Sequence, residues 1–471
     1  MALGGHATLS SMRRGAWSWC WALGLWLSAA ACGGGDERPG TVPNNRPDAG
    51  DAGYVSGSEP YDGAVPLPRK DSGVSTIPPG EPEKGLTGAC AVDSNKIYTV
   101  AERAQPFGST PLAVDANNSR FIIPFVAAGE CLDAVHMATL MGAATSGEPD
   151  SDAAIETCGL VREAAATALS DRWLLATTDN RQGAYDVWLT PYEATTGAVA
   201  EAQRLSDSSR VESALALTTL ASGDRALLAF GDTESGVGQA LYVRPIDNLG
   251  KPSADAVTID ESSELYFSQL TLKPLGQGAA LVYVRASLDF MTSDIVFVVL
   301  DAQGKPVREP WVLSRNAGPS PSVDLTVDSE GGGIVYARAE ASIGRQIWFQ
   351  RIDSTGQAAL LQTGNTRSPA QRIVNSPQRG IDVSIGKLRA SFVVAYRALP
   401  QTEGGRAVLR SYFLDRNGAI VGSSDVSYTS TGSGRTSVRS AGDGRVVLAW
   451  NEVNDNGLSA LKVARLPCVG N

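Results

Sequence analysis

The sequence predicts an all-β fold, a seven-bladed β-propeller, and the first observation behind this prediction is a short apolar run that recurs. A continuous apolar run that is rich in Val, Ile and aromatic residues is typical of a strand buried on both faces. The seven copies stand at 122–125 (IIPF), 174–177 (LLAT), 227–230 (LLAF), 280–283 (ALVY), 334–336 (IVY), 393–396 (VVAY) and 446–450 (VVLAW).

The second observation is the even spacing of these copies. Their last residues, from position 125 to position 450, are separated by 52, 53, 53, 53, 60 and 54 positions. A period near 50 with several short strands per period indicates a propeller, in which each repeat forms one sheet. We therefore predict seven blades, with six or eight as the alternatives.

The third observation is that further strand-like runs surround each copy. A shorter run that ends in turn residues precedes it, as at 112–117, 325–328 and 437–444. An alternating apolar and polar run follows it after a polar loop, as at 240–244 and 346–350. A fourth run follows in turn at 256–259, 311–313, 360–362 and 426–428. Four strands in a meander correspond to one propeller blade.

The third and fourth runs are joined by segments with Asp at the first position and Gly at the fourth. They lie at 247–250, 301–304, 353–356 and 415–418. This pattern is typical of a type I turn, in which the Asp carboxylate bonds back to the chain. A calcium loop would need carboxylates at alternate positions, which these segments lack. We predict turns and no metal site.

The ends of the chain predict how the ring closes. The seventh period has inner strands between 437 and 466 but no outer strand, because the chain ends soon afterwards. A strand-like run at 96–100 (KIYTV) stands just before the first full period. We expect this N-terminal strand to complete the last blade, so that no sheet edge stays unpaired.

Composition and charge exclude several classes of function. The formal net charge is −10, so binding to nucleic acid is not expected. Only two histidines occur, which excludes zinc sites with several His ligands and argues against a Ser-His-Asp triad. His6 lies in the leader, and His136 is expected to be an ordinary strand residue, with a lone acid–base as the alternative. We predict no catalytic, cofactor-binding or metal-binding residue and no cofactor.

The segment 1–31 has the three-part form of an export signal. Arg13 and Arg14 precede an apolar run at 15–27, and small residues follow it. The run is too short to span a membrane comfortably. We therefore predict a signal peptide at 1–31, rather than a transmembrane helix.

The end of this leader, 27–33 (LSAAACG), resembles the lipobox of bacterial lipoproteins. The resemblance implies cleavage before Cys32 and a diacylglyceryl group on its thiol, with palmitate as an acyl chain. It departs from the commonest pattern at Ala29, where Leu is usual. The alternative is a plain secretory signal that is cut near Ala31.

A spacer is predicted at 32–88. Gly and Pro supply more than a third of the positions from 33 to 88, and no apolar periodicity is present. This content exceeds the roughly 25–30% at which aperiodic Gly and Pro indicate disorder. We predict a disordered tether, followed by the propeller domain at 89–471.

Four cysteines remain in the predicted propeller domain: Cys90, Cys131, Cys158 and Cys468. An even number in an exported chain indicates disulfides, and four cysteines allow three pairings. Cys90 precedes the closing strand and Cys468 follows the last one, so the closure favours a Cys90–Cys468 bridge. Cys131 and Cys158 then pair across the insert that separates them.

The leader and repeats together resemble bacterial exported lipoproteins with β-propeller domains of undefined function. The resemblance implies a monomer in the cell envelope, anchored by lipid alone at the outer membrane or cell surface. We expect a binding or scaffolding module for a protein or glycan partner. The alternative is an exported hydrolase or lyase that uses loop carboxylates. Three or more buried carboxylates or arginines with shifted pKa values at the channel mouth would favour an enzyme.

Overall fold

The structure is a computed structural model. It describes residues 97–104, 113–114, 120–141, 151–193, 196–206, 211–234, 238–319, 321–340, 344–359, 361–363, 366–368, 370–373, 379–388, 391–399, 407–429, 436–440, 446–453 and 459–466. These residues form strands and turns and contain no helix. No membrane-spanning helix is therefore found within these ranges.

The described residues form 31 strands. In chain order they are β1 (Ile97–Ala101), β2 (Ala113–Val114), β3 (Arg120–Ala128), β4 (Asp133–Met141), β5 (Ser151–Glu156), β6 (Val161–Ala168), β7 (Trp173–Gln182), β8 (Ala184–Tyr192), β9 (Gln203–Arg204), β10 (Val211–Thr219), β11 (Ala226–Glu234), β12 (Gly238–Ile246), β13 (Val257–Ser262), β14 (Leu265–Leu275), β15 (Gly278–Ser287), β16 (Ser293–Leu300), β17 (Trp311–Ser314), β18 (Ser322–Asp328), β19 (Gly331–Glu340), β20 (Gly344–Ile352), β21 (Ala358–Ala359), β22 (Leu361–Thr363), β23 (Thr366–Ser368), β24 (Ala370–Arg372), β25 (Arg379–Leu388), β26 (Ser391–Leu399), β27 (Ala407–Leu414), β28 (Ile420–Thr429), β29 (Thr436–Ser440), β30 (Val446–Val453) and β31 (Ser459–Leu466).

Seven antiparallel sheets form the blades of the propeller. Blades 1 to 4 are β2–β5, β6–β9, β10–β13 and β14–β17, and blade 6 is β25–β28. Blade 5 contains β18–β21 with β24, and blade 7 contains β29–β31 with β1. The first strands of neighbouring blades contact one another around a central channel. The predicted all-β fold and the count of seven blades are confirmed.

The recurring apolar run is the second strand of every blade, as predicted. In β30, for example, Val446, Leu448 and Trp450 are fully buried. The buried apolar side chains of the described residues form seven clusters, and each cluster fills the interface between two neighbouring blades. Burial of one such side chain contributes about 1.5–3 kcal/mol, so the ring is held chiefly by these interfaces.

The N-terminal strand closes the ring, as predicted. β1 pairs antiparallel with β31, and Ile97 lies opposite Ala464 and Tyr98 opposite Val463. Ile97 also packs against the cluster between blades 6 and 7. Cys90 and Cys468 lie outside the described residues, so their bridge stays a prediction. Cys32 and the predicted leader and tether also lie outside them.

The Asp-to-Gly segments are turns between the third and fourth strands, as predicted. In the turn of blade 3, Asp247 Oδ1 accepts hydrogen bonds from the backbone N–H groups of Leu249 (2.9 Å) and Lys251 (2.8 Å). Gly250 has a φ of +79°, which favours glycine. A Cβ on Gly250 would also lie 2.8 Å from Pro191 in blade 2. The same turn recurs at Asp301, Asp353 and Asp415.

The fourth strand of blade 5 differs from the prediction. The run at 360–362 is not that strand. β21 and β24 both pair with β20, and between them β22 and β23 form a separate hairpin. Leu361 is buried between blades 5 and 6, so its apolar character reflects packing against blade 6 rather than pairing with β20. This inserted hairpin accounts for the longest of the spacings, the one between positions 336 and 396.

Candidate functional site

The candidate site is a cavity of about 80 Å³ in the central channel. The first strands of blades 2 to 7 line it, namely β6, β10, β14, β18, β25 and β29. Of the described residues that line it, three are charged: Lys273 on β14, Asp324 on β18 and Arg439 on β29. Hydroxyl groups of Ser and Thr side chains supply further polar surface on this wall.

Three of the first strands carry the same backbone irregularity. Ala214, Gln269 and Asp382 have φ values of +56°, +57° and +53°, although none is glycine. Each lies at a break in register between the first and second strands of its blade. A left-handed residue of this kind costs on the order of 1–3 kcal/mol, so the surrounding packing has to hold it in place. In blade 4 the bulge places Gln269 on the cavity wall.

Asp324 is the centre of a hydrogen-bond network that joins three blades. Its Oδ2 accepts from the Ser384 hydroxyl (2.6 Å), from the Ile385 backbone N–H (3.0 Å) and from Arg439 Nη1 (3.2 Å). Ser384 Oγ in turn accepts from the backbone N–H of Val438 at 2.9 Å. The network therefore ties β18, β25 and β29 together on one side of the channel.

The network holds Asp324 in its charged form. Burial alone would raise the pKa of Asp324. The positive charges of Arg439 and Lys273 and the hydrogen bonds from Ser384 and Ile385 oppose this, so the pKa of Asp324 is lowered from its ordinary value. Asp324 is therefore an anion at neutral pH, with one oxygen occupied by three donors.

Lys273 has a different environment. No hydrogen bond or ion pair joins its amine to another side chain within the described residues. The side chain is intermediate in exposure, because it borders the channel, although protein surrounds it. Burial and the nearby charge of Arg439 lower the pKa of Lys273 to about 7, and Asp324 opposes this only in part. The amine therefore changes charge close to neutral pH.

The described residues of the cavity wall do not supply the two carboxylates that glycoside hydrolysis requires. Asp324 is the one carboxylate among the described residues of its wall. A retaining or inverting glycosidase uses two carboxyl groups that flank the scissile bond. The described wall carries one carboxylate and one arginine. An enzyme was expected to show three or more buried carboxylates or arginines with shifted pKa values. The arrangement is suited to holding a charged group.

An exposed apolar loop lies on blade 4. Leu288, Phe290 and Met291 are 50%, 53% and 63% exposed in the loop between β15 and β16. Phe290 stacks on Tyr266 with ring centroids 5.1 Å apart. Tyr266 is three residues before Gln269 on β14, which corresponds to roughly 10 Å along the strand. This apolar patch therefore lies beside the N-terminal end of β14, the first strand of blade 4.

Of the sequence-predicted residues, the structure describes His136, Cys131 and Cys158, and none of these three lines the cavity. His136 lies on β4, the third strand of blade 1, and stacks on Phe125 with ring centroids 5.0 Å apart. This confirms an ordinary strand residue. Cys131 and Cys158 form the predicted disulfide, which joins the loop after β3 to the connection between blades 1 and 2. No group of three potential metal ligands occurs in the described part of the chain.

Sequence reasoning missed the three charged residues of the channel. Each interrupts an otherwise apolar or hydroxyl-rich first strand, as in LTLKPL around Lys273, SVDLTV around Asp324 and TSVRS around Arg439. A charged residue inside a first strand is the signal that could have identified them.

Comparisons with known proteins concern the fold. No family model matches the chain, and no curated protein matches it. Among solved structures it is similar to a prolyl endopeptidase at 14% identity and a TM-score of 0.47, over 77% of this chain and 47% of that one. The chain thus spans about half of that enzyme.

Two further structures are similar over most of their length. One is the β-propeller domain of the Trilobed protease from Pyrococcus furiosus, at 11% identity and a TM-score of 0.43, over 79% of this chain and 97% of that one. The other is a polysaccharide lyase, at 9% identity and a TM-score of 0.41, over 76% and 89%. At these identities the likenesses concern the propeller fold alone.

Proposed function

We propose that this protein is a lipid-anchored envelope protein whose propeller binds a protein or glycan partner at the mouth of the central channel. The observation that carries the proposal is the charged cluster of the channel. The Asp324 carboxylate accepts hydrogen bonds from blades 6 and 7, whereas the Lys273 amine remains available to a ligand. The exposed apolar loop at 288–291 adds a surface on which a larger partner can rest.

A second candidate function is an exported hydrolase or lyase. The near-neutral pKa of Lys273 favours it, because an amine with a pKa of about 7 suits a general base. The described residues of the cavity wall offer no acid to work with this base. The pKa of Asp324 is lowered, and its charged form is held by three donors. Binding is therefore the function that the site supports best.

The proposal is tested by capture from an envelope extract with the purified protein, alongside a panel of hydrolase and lyase substrates. We expect a defined partner and no turnover. Thr271 lines the same cavity, so Thr271→Phe should fill it without a change of charge and abolish capture. Lys251→Met on an exposed turn is the matched control for Lys273→Met, the second variant of this test. Turnover that survives purification and disappears with Lys273→Met would contradict the binding function and favour the hydrolase or lyase.

The lipid anchor is tested separately. Cys32 is proposed to be the mature N-terminus and to carry the lipid, because of the small residues before it and the Gly- and Pro-rich segment after it. Metabolic labelling with a clickable palmitate analogue should mark the wild-type protein and leave Cys32→Ser unmarked. Equal labelling of the two proteins would show that Cys32 does not carry the lipid.

A further inference from the structure

The charged side chains on the described wall of the channel do not balance when Lys273 is protonated. Lys273 and Arg439 are cations, and Asp324 is the one anion among the described residues of the wall. The cluster therefore has one positive charge in excess when Lys273 is protonated, in a chain whose formal net charge is −10. An excess charge that is surrounded by protein is unfavourable unless a counter-charge joins it. A bound monoanion would supply that counter-charge and favour the protonated form of Lys273.

The donors of the cluster show which atoms such an anion would meet. Arg439 Nη1 is used within the protein, since it donates to Asp324 and to the backbone oxygens of Val438 (2.7 Å) and Ile385 (3.4 Å). Arg439 Nε is buried and has no hydrogen-bond partner in the part of the chain that the structure describes. The Lys273 amine likewise donates to no described residue. Arg439 Nε is shielded from solvent, so the Lys273 amine is the donor of this wall that is left for a ligand, and the Arg439 side chain lines the same cavity.

The size of the cavity limits what can enter. About 80 Å³ of water-accessible space holds a few water molecules or one small polar group, because a single water needs roughly 10–15 Å³ by this measure. A whole sugar ring or amino acid would have to remain at the mouth and direct its charged group inward. The Ser384 and Thr436 hydroxyls already donate to Asp324 Oδ2 and to the Asp382 backbone oxygen, so the Thr271 hydroxyl, two residues from Lys273 on β14, is placed to add a hydrogen bond to that group.

We infer that the channel receives a carboxylate group of the ligand and holds it between the Lys273 amine and the Arg439 guanidinium. This inference rests on the proposed binding function and names the chemistry of its ligand. A carboxylate carries the single charge that balances the cluster, and its two oxygens can accept from both cations. Sulfate or phosphate dianions fit less well, because their second charge would be repelled by Asp324.

Proton uptake should accompany this binding. Lys273 titrates near pH 7 in the free protein, and a bound carboxylate favours its charged form. Asp324 from β18 and Arg439 from β29 are the charged groups of the described wall that face it. β6, β10 and β25 contribute apolar side chains and Ser384. The affinity should therefore fall about tenfold between pH 6 and pH 8, because the charged fraction of Lys273 falls by that factor.

The test is calorimetric titration of the purified protein with small carboxylates at pH 6 and pH 8. D-Glucuronate and N-acetylglycine represent a sugar acid and a peptide C-terminus, and D-glucose and N-acetylglycinamide are their uncharged counterparts. We expect at least one carboxylate to bind and neither neutral compound to do so. The carboxylate that binds more tightly shows whether the ligand's carboxylate belongs to a sugar acid or to a peptide C-terminus.

Three variants make the outcome specific. Lys273→Met should weaken carboxylate binding at pH 6 by about tenfold or more, which is typical of a lost charged hydrogen bond. Lys273→Arg should retain binding and lose the pH dependence, because arginine stays charged. Lys251→Met, which changes an exposed lysine, should behave as the wild type.

Several outcomes would overturn the inference. They are equal binding of the carboxylates and their neutral counterparts, no binding of any carboxylate, tighter binding of sulfate or phosphate, or wild-type affinity in Lys273→Met. A partner captured equally well by the wild type and by Lys273→Met would refute this inference and leave the proposed binding function intact. Thermal unfolding of each variant verifies that it is folded.

Discussion

Asp324→Ala is expected to lower the free energy of unfolding by about 3–5 kcal/mol, as is typical when one partner of a buried ion pair is removed. Asp324 is 5% exposed, and three donors from blades 6 and 7 converge on its Oδ2. Without the carboxylate, Arg439 keeps its charge but loses its counter-ion. Ser384 and the Ile385 N–H also lose their acceptor.

The measurement is equilibrium denaturation followed by tryptophan fluorescence at neutral pH. Asp255→Ala is the matched control, because Asp255 is exposed, and we expect a change within about 0.5 kcal/mol. The double variant Asp324→Ala with Arg439→Met should lose less stability than the two single variants added together, because it removes both charges. A loss no larger for Asp324→Ala than for Asp255→Ala would contradict the proposed role of the network.

The repeated blades could be predicted from the sequence because the same strand of every blade is buried and therefore apolar. The second strand of each blade packs against neighbouring blades and is apolar on both faces. The apolar run around Trp450 can therefore be recognised from the sequence alone. The closing strand could be predicted in the same way, since the seventh period lacks an outer strand and a strand-like run stands before the first period. The Cys131–Cys158 bridge followed from the predicted closure, which assigned Cys90 to Cys468 and left these two cysteines to pair across the insert between them.

Features that depend on contacts between blades could not be predicted. Leu361 is apolar because it packs against blade 6, and a sequence pattern does not distinguish this from pairing with β20. Gln269 and Asp382 take a positive φ although neither is glycine, so neither carries the usual signal of a left-handed residue. Their conformation is imposed by the packing of the first strands.

The candidate site could not be assembled from the sequence for a related reason. Arg439 and Asp324 are 115 residues apart in the chain and belong to blades 7 and 5. They meet because their first strands both face a narrow channel, which exists only once the ring is formed. The charged residue in each first strand is visible in the sequence, but its partner is not.

Lys273→Met is expected to raise the free energy of unfolding near pH 6, a gain rather than a loss. The pKa of Lys273 is lowered from 10.5 to about 7 by burial and by Arg439, so the folded protein holds this proton less tightly than the unfolded chain. Below pH 7 the folded protein bears the full cost of a charged amine without a partner. We expect a gain of about 2 kcal/mol, which is smaller than the whole pKa shift would give because the Lys273 side chain is partly exposed to solvent.

The dependence of this gain on pH distinguishes charge from packing. Between pH 7 and 10.5 the unfolded chain binds the Lys273 proton and the folded protein does not, so this residue makes wild-type stability rise with pH. Met has no proton to bind, and the advantage of Lys273→Met should therefore shrink above pH 7 and vanish near pH 10.5. Denaturation of both proteins at pH 6, 8 and 10 measures this, with Lys251→Met as the exposed control. A gain of the same size at all three values would mean that Met merely packs better, and that the charge of Lys273 is already compensated within the channel.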